Sequence, residues 1–257
     1  MAAQTGVILW HGVGDDGACW APFIASLGPL PGVVLRTPDA PAHGGRRAGP
    51  GQQPSWHDRL AEGIATTEAL VQSVGGPVIV GGHSMGSTTA LGVAAERPEL
   101  VTALFLEDPP FAGTGSVVPG DEPMASSQQL YDWLVGLQSA SLAEVSAGAR
   151  YDHPDWPDDE YEPWARAKQA VDVTPFAEPV PWIGGGWRSL APRVSCPVVV
   201  VAGQEDMGSL LTAEAEAVIA TLPGWVVHRV PAGHDVRRDA RQATGQILRA
   251  LIEGSAG

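Results

Sequence analysis

The sequence contains few cysteines and few basic residues. Only two of its 257 residues are cysteine, Cys19 and Cys196, and they stand far apart and outside any Cys-x-x-Cys pattern. This excludes a disulfide-stapled fold and a cysteine-based zinc site. Fifteen Lys and Arg residues against 29 Asp and Glu residues give a formal net charge of −14. Because nucleic acids and anionic membranes bind basic surfaces, we expect neither as a partner.

A targeting segment and a membrane-length apolar run are also lacking. Residues 1–5 lead into the apolar run Val7–Trp10 without a basic region or a cleavage site, and no later apolar run is long enough to span a membrane. We therefore expect a cytoplasmic protein. Hydrophobic residues make up 44% of the chain and charged residues 17%, a composition typical of a folded domain and not of a disordered chain.

Short apolar runs alternate with helical patterns along most of the chain. The apolar runs are Gly6–Trp10, Val33–Arg36, Val78–Gly81, Val101–Leu106, Val198–Ala202 and Trp225–Val230. The helical patterns between and after them are Trp20–Leu27, Arg59–Val74, Met85–Glu96, Leu210–Leu222 and Asp235–Ile252. This alternation predicts an α/β fold with a mostly parallel sheet of about six strands flanked by helices.

One long interval interrupts the alternation. Between Pro109 and Leu190 no comparable apolar run occurs, whereas Pro, Gly, Trp and Tyr accumulate, and helical patterns are confined to Gln128–Leu137 and Pro163–Val171. We predict a core domain made of residues 1–108 and 191–257, with residues 109–190 inserted as a helical cap.

A glycine-rich motif follows the first apolar run. Gly12-Val-Gly-Asp-Asp-Gly17 matches the spacing of a dinucleotide-binding loop, and Asp39 follows at about the distance of a ribose-binding acid. The two aspartates inside the motif would, however, place negative charge where a pyrophosphate has to bind. The motif therefore does not favour a dinucleotide site.

The third apolar run ends in a candidate nucleophile. Gly82-His-Ser-Met-Gly86 stands between Val78–Gly81 and an alanine-rich helical pattern. Gly-x-Ser-x-Gly between a strand and a helix is typical of a nucleophile elbow, in which a strained turn presents the serine hydroxyl above the edge of the sheet. The glycines are needed because side chains there would collide where strand and helix pack closely. Ser84 is the candidate.

A serine nucleophile needs a base and an orienting acid, which follow it in the order acid, then histidine. Asp206 follows the run Val198–Ala202, and His234 follows the last apolar run. Two other carboxylates stand at strand ends: Asp108, after the fourth run, and Glu205, beside Asp206. Asp206 is favoured, and Asp108 and Glu205 remain alternatives.

These motifs together resemble those of the α/β-hydrolase superfamily. They are His11-Gly12, Asp39–Gly44, Gly82–Gly86, Gly203–Asp206 and Gly233-His234. The resemblance implies that Ser84 is the nucleophile, that His234 is the general base and then acid, and that Asp206 orients His234. It also implies an oxyanion hole formed by the backbone N–H groups of Val13 and Met85. Some relatives place the acid after the earlier strand, where Asp108 stands.

The implied reaction is hydrolysis of an ester, thioester or lactone through an acyl-enzyme, which requires no cofactor and no metal. Five tryptophans of the inserted segment are candidates for substrate binding: Trp133, Trp156, Trp164, Trp182 and Trp187. An aromatic cap favours a hydrophobic or aromatic small molecule as substrate. Because this fold also hosts other functions, two alternatives remain. One is a lyase, eliminase or C–C bond hydrolase that uses the histidine as base, and the other is a non-catalytic small-molecule receptor.

Overall fold

A six-stranded parallel sheet forms the centre of the molecule. The computed structural model describes residues 4–48, 55–111, 127–176 and 186–255. The strands are β1 (Thr5–Trp10), β2 (Val33–Arg36), β3 (Val78–His83), β4 (Val101–Glu107), β5 (Val198–Ala202) and β6 (Trp225–Arg229). All neighbouring strands pair in parallel, in the order β2-β1-β3-β4-β5-β6. All six predicted strands are present within a residue or two, and the α/β-hydrolase fold is confirmed.

Helices cover both faces of the sheet. The α-helices of the described residues are α1 (Ala21–Ser26), α2 (Trp56–Val74), α3 (Met85–Glu96), α4 (Ser127–Ser139), α5 (Leu142–Asp152), α6 (Tyr161–Ala170), α7 (Trp187–Leu190), α8 (Ala213–Ile219), α9 (Val236–Asp239) and α10 (Arg241–Gly254). Helices α2, α3, α7 and α8 share one apolar core with the sheet, and α1 and α10 share the other. Successive strand residues supply the two cores in turn, as Ile8 and Leu9 do, because side chains alternate between the faces of a strand.

Two predicted helices differ from the observed ones. The pattern Leu210–Leu222 corresponds to the shorter helix α8, which Thr212 caps at its N-terminus. The pattern Asp235–Ile252 is divided at Ala240 into α9 and α10, because Ala240 leaves the helical conformation with φ −125° and ψ 47°. This break separates the turn that follows His234 from the long surface helix.

The inserted segment contains a helix that the sequence analysis did not predict. Helix α5 begins after Ser141, whose hydroxyl accepts a hydrogen bond from the backbone N–H of Glu144, while the Glu144 carboxylate accepts from Ser141. This capping box was visible in the sequence as Ser-x-x-Glu. The apolar periodicity of α5 is weak, and only Val145 and Ala149 of this helix are buried.

Helices α4 to α6 build their own small core beside the sheet. Trp156, Tyr161 and Trp164 pack there with Val145 and Ala149. A second cluster connects the inserted segment to the sheet edge, where Leu134, Val171 and Phe176 meet Ala40 and Met85. Helix α7, at the end of the segment, packs instead in the main core. Within the described residues, no helix is long and apolar enough to cross a membrane.

Candidate active site

Ser84 occupies a strained turn between β3 and α3. Its backbone has φ 51° and ψ −116°, which a non-glycine residue rarely adopts. A Cβ atom at Gly82 would lie 2.4 Å from the backbone carbon of Gly86, and one at Gly86 would lie 2.2 Å from the carbonyl oxygen of Trp10. The two glycines therefore allow the close approach of helix and strand that the turn requires.

His234 pairs with Asp108 at the same end of the sheet. Its Nδ1 atom lies 2.6 Å from Asp108 Oδ2. The Asp108 carboxylate is fully buried and also accepts hydrogen bonds from Ser209 Oγ at 2.5 Å, Leu210 N at 2.8 Å and Gly203 N at 3.3 Å. A carboxylate that accepts this many hydrogen bonds is held in one orientation, and it orients the imidazole in turn.

The prediction that Asp206 orients His234 is wrong, and the alternative acid Asp108 takes that position. Asp206 lies in the exposed 3-10 helix Glu205–Met207, and Glu205 instead accepts a hydrogen bond from Ala213 N. The loop after β5 thus supplies donors to the acid and not the acid itself. Because β4 and β5 are neighbours, both strand ends reach the same edge, and only the side-chain directions distinguish them.

The loop after β1 lies directly against the nucleophile turn. A Cβ atom at Gly12 would lie 3.3 Å from Ser84 Cβ and 2.7 Å from His83 Nδ1. The backbone N–H groups of Val13 and Met85, predicted to form an oxyanion hole, donate to no acceptor among the described residues. They are therefore free to bind a ligand oxygen.

Two buried histidines hold this loop in place. His43 Nε2 accepts a hydrogen bond from the backbone N–H of Gly14 at 3.1 Å, and His11 Nε2 accepts one from Ala40 N at 2.9 Å. A ring nitrogen accepts a hydrogen bond only when it carries no proton, so Nε2 of each imidazole is unprotonated. Burial lowers the pKa of both histidines, that of His43 to about 3. Both imidazoles therefore remain acceptors at neutral pH and act on the loop, not on a proton in transfer.

His83 links the nucleophile turn to His234. Its Nε2 atom lies 3.0 Å from the His234 carbonyl oxygen, and the centroids of the two rings are 4.6 Å apart. No hydrogen bond joins Ser84 to His234 in the part of the chain that the structure describes. Contacts of this kind are often long without substrate and tighten in the complex.

Negative charge controls the titration of His234. Burial lowers the pKa of this imidazole, but its hydrogen bond to Asp108 and the nearby charges of Asp235, Asp108 and Glu107 outweigh burial, so the pKa lies above the ordinary 6.5. His234 thus differs from His11, whose pKa is lowered. Of His11, His43, His83 and His234, only His234 has a raised pKa, which makes its neutral imidazole the stronger base.

The model of the alpha/beta hydrolase family matches residues 7–245. This chain belongs to the alpha/beta hydrolase family. Lipase LipV of Mycobacterium tuberculosis is 37% identical over 113 residues, which make up 44% of this chain and 40% of the lipase. The match therefore spans less than half of either protein.

Solved structures of several enzymes share the fold. N-formylmaleamic acid deformylase from Pseudomonas putida S16 superposes with a TM-score of 0.74 at 18% identity, over 96% of this chain and 92% of that chain. The thioesterase domain from the curacin biosynthetic pathway gives 0.70 at 19% identity, over 97% and 92%. MenH from S. aureus gives 0.71 at 14% identity, over 100% and 96%. At these identities the likeness shows the fold alone.

A buried ion cluster joins the loop after β1 to the inserted segment and to the turn after His234. Asp15, in the loop after β1, is 2% exposed and accepts from Lys168 Nζ at 2.6 Å, Arg237 at 2.7 Å and Arg238 at 2.8 Å. Burial alone would raise the pKa of Asp15, but the three cations hold it well below its ordinary value. The carboxylate therefore stays ionised and joins the loop to helices α6 and α9.

Arg237 and Arg238, together with the nearby Arg241, bind further carboxylates. Arg237 donates its backbone N–H to Glu107 at 2.7 Å, and Arg238 and Arg241 pair with Glu160 at 3.4 and 2.6 Å. The sequence analysis missed these residues, since no motif marks them. Their signal lies only in tertiary contacts, because charged side chains are rarely buried unless they are paired.

The predicted substrate-binding tryptophans have mostly structural partners. Trp156 donates to Asp239 at 2.7 Å, Trp164 lies under the Lys168 ammonium at 4.6 Å, and Trp187 stacks on Phe111. Trp133 is 44% exposed and is available to a ligand. Trp182 lies outside the described residues. A role in substrate binding stays a prediction for these rings.

Metal chemistry was not expected from the sequence. Across residues 4–48, 55–111, 127–176 and 186–255, no group of three or more His, Cys, Asp or Glu side chains is placed to hold a metal ion. Cys19 and Cys196 are free thiols, and burial raises the pKa of Cys19 to about 12 and that of Cys196 to about 11. Neither thiol is therefore activated as a nucleophile.

Substituting Asp15 with Asn should destabilise the hydrolase. The amide cannot balance Lys168, Arg237 and Arg238, and leaving buried cations without their counter-ion costs about 3–5 kcal/mol. Urea-induced unfolding followed by circular dichroism measures this loss. Asp206→Asn is the matched control, because its carboxylate is exposed. Equal stability of the two variants would contradict a structural role for the ion cluster.

Proposed function

We propose that this protein is a serine hydrolase of the carboxylesterase type, which cleaves an ester, thioester or lactone of a hydrophobic or aromatic small molecule. The observation that carries the proposal is the pairing of His234 with the buried Asp108 carboxylate beside the strained turn of Ser84. A serine, a histidine and an acid at one sheet edge form the constellation that activates a serine hydroxyl.

The reaction follows from the groups at this edge. His234 Nε2 takes the hydroxyl proton as Ser84 Oγ attacks the acyl carbon, and a bond forms between oxygen and carbon. The bond from the acyl carbon to the leaving oxygen or sulfur then breaks, and His234 returns the proton to the leaving group. A water molecule attacks the acyl-enzyme by the same proton path, which releases the acid and restores Ser84.

Asp108 and the free backbone N–H groups supply electrostatic stabilisation. The carboxylate stabilises the imidazolium that forms during the attack, because its Oδ2 atom lies 2.6 Å from Nδ1. The N–H groups of Val13 and Met85 donate to the oxyanion of the tetrahedral intermediate. Removing one such donor typically slows a hydrolase by about two to three orders of magnitude.

The surroundings of Met85 support an apolar substrate. Met85 is buried in a cluster with Leu134, Val171 and Phe176, against which Val13 also packs. The two residues proposed to hold the oxyanion thus border an apolar wall that helix α4 completes. Such a wall favours hydrophobic or aromatic acyl and leaving groups, since their burial releases water from apolar surface.

The names of the relatives point to the same class of reaction. One is called a lipase, and another a thioesterase domain. Both names describe cleavage at an acyl carbon, which is the step proposed for Ser84. The alternatives of a lyase, an eliminase or a receptor require no covalent bond to serine, so the acyl-enzyme separates them from this proposal.

Labelling with a fluorophosphonate tests the nucleophile directly. Such probes react with activated serines, so wild-type protein should be labelled and Ser84→Ala should not. Peptide mapping of the labelled protein identifies Ser84 as the modified residue. The folded state of the variant, checked by circular dichroism, and heat-unfolded wild type serve as controls. A folded wild-type protein that takes up no label would refute the serine hydrolase and favour a lyase or a receptor.

The acid is tested by comparing two aspartates. Asp108→Asn should reduce kcat on a 4-nitrophenyl ester by about four orders of magnitude, because an amide favours the wrong tautomer and does not stabilise the imidazolium. Asp206→Asn should change kcat little, because Asp206 is exposed. Steady-state kinetics of both variants measures the difference. A larger loss in Asp206→Asn would transfer the acid role to the loop after β5.

The pH profile should report the raised pKa of His234. Below that pKa the imidazolium cannot accept the serine proton, so kcat/KM should fall as the pH drops, with a midpoint above 6.5. Asp108→Asn should move the midpoint to lower pH, because a charge that favours the imidazolium is removed. His43 cannot produce this limb, since its pKa is lowered to about 3. A midpoint below 6.5 would contradict the assignment of His234.

A further inference from the structure

Arg59, on helix α2, is a buried cation without an anionic partner. Its residue exposure is 4%, and its Nε and one terminal nitrogen are buried without a hydrogen-bond partner. None of the ion pairs among the described residues includes it, whereas Arg237 and Arg238 are each paired with carboxylates. Its guanidinium faces the Trp56 ring at 5.9 Å, a contact that does not replace a counter-ion.

Keeping such a cation inside the protein is costly. Burial alone lowers the pKa of Arg59 to about 9, and no charged neighbour opposes that shift. A buried, unpaired charge costs several kcal/mol unless something compensates it. An unsatisfied buried donor in a folded protein calls for a partner, which is an ordered water, an ion or a ligand.

Arg59 lines a cavity beside the reaction centre. The cavity is small, with a volume of about 20 Å3, and its lining includes His11, Met85 and Thr89. Met85 is also the residue whose backbone N–H is proposed to bind the oxyanion. The cavity that Arg59 lines thus reaches Met85, the residue that follows Ser84.

Two carboxylates share the cavity wall, and both already have partners. Glu62 forms a hydrogen-bonded ion pair with the exposed Arg46, and one of these bonds measures 3.2 Å. Asp39 accepts from the backbone N–H of Gly17 at 2.7 Å. Neither lies within ion-pair distance of Arg59. Among the described residues, the Arg59 guanidinium therefore has no carboxylate within ion-pair distance.

We propose that Arg59 and its cavity form a subsite for a small oxyanion, a carboxylate above all, which a substrate carries or which binds as a free ion. A planar carboxylate fits the fork of guanidinium donors. The apolar wall at Met85 and Val171 would take the hydrophobic part of the same substrate. If the substrate carries the anion, this inference rests on the proposed hydrolase function. It then narrows the substrates of the hydrolase to apolar molecules that bear one carboxylate.

The binding experiment needs no turnover. Calorimetry at constant ionic strength measures the affinity of Ser84→Ala protein for acetate and for inorganic phosphate, with and without the additional change Arg59→Met. Methionine keeps the linear shape of the side chain and removes the charge. We expect the affinity for the oxyanions to fall by about tenfold or more, as loss of a charge-assisted contact implies. Arg36→Met is the matched control, because Arg36 is exposed.

The kinetic experiment distinguishes the two sources of the anion. It compares kcat/KM for 4-nitrophenyl hydrogen succinate with kcat/KM for 4-nitrophenyl butanoate, which lacks the carboxylate. If substrate carries the anion, the ratio of the two values should fall about tenfold or more in Arg59→Met and stay unchanged in Arg36→Met. Oxyanion binding that depends on Arg59 with an unchanged ratio would assign the subsite to a free ion.

Stability provides a readout that a purely structural arginine would not give. Without ligand, Arg59→Met should melt at the same temperature as wild type or higher, because an unpaired buried charge is removed. If that variant fails to fold, Arg59→Lys keeps the charge, loses the fork and should bind the oxyanions more weakly. The proposal would be overturned if substitution of Arg59 changed neither the affinity for the oxyanions nor the ratio of the two kcat/KM values. Because binding is measured without catalysis, this result is separable from failure of the proposed hydrolase.

Discussion

The burial of the Asp15 carboxylate among three cations is the interaction on which the site depends. It joins the loop after β1, which carries Val13, to the inserted segment through Lys168 and to the turn after His234 through Arg237 and Arg238. Three segments far apart in sequence are thus bound to one charge. Removing water from these ions costs much free energy, which only complete pairing compensates. The geometry of the cluster is therefore highly specific, and it allows the loops little freedom around Ser84.

Opposite environments give neighbouring histidines opposite tasks. In His11 and His43 burial outweighs the neighbouring charges, so both rings stay neutral and accept backbone hydrogen bonds that shape the loop after β1. His234 faces Asp108, which outweighs its burial and makes it a stronger base. Arg59 is the opposite case: its side chain is a cation that is buried without an anionic partner, and we propose that it binds an anion. In each case the residue type sets what is chemically available, and the local charge decides how it is used.

The sequence alone determined the fold and predicted two candidate site residues, Ser84 and His234. The six apolar runs predicted the six strands, because strands buried on both faces must be apolar throughout. Ser84 was recognisable because a strained turn between strand and helix needs glycines at fixed offsets, and the structure places a backbone atom within 2.4 Å of a Cβ at either glycine. His234 was recognisable from its place after the last strand. These features are local, so a short stretch of residues carries the whole signal.

Only the tertiary structure decided which acid contacts His234, what holds the site together and where an unpaired cation lies. Asp108 and Asp206 both follow strands that end at one edge, and the direction of the Asp108 side chain depends on donors from Gly203, Ser209 and Leu210, about a hundred residues away. The partners of Asp15 are separated from it by 153 to 223 positions in the sequence. Burial of a charge is a property of the packed molecule, since a sequence pattern shows the charge but not what surrounds it.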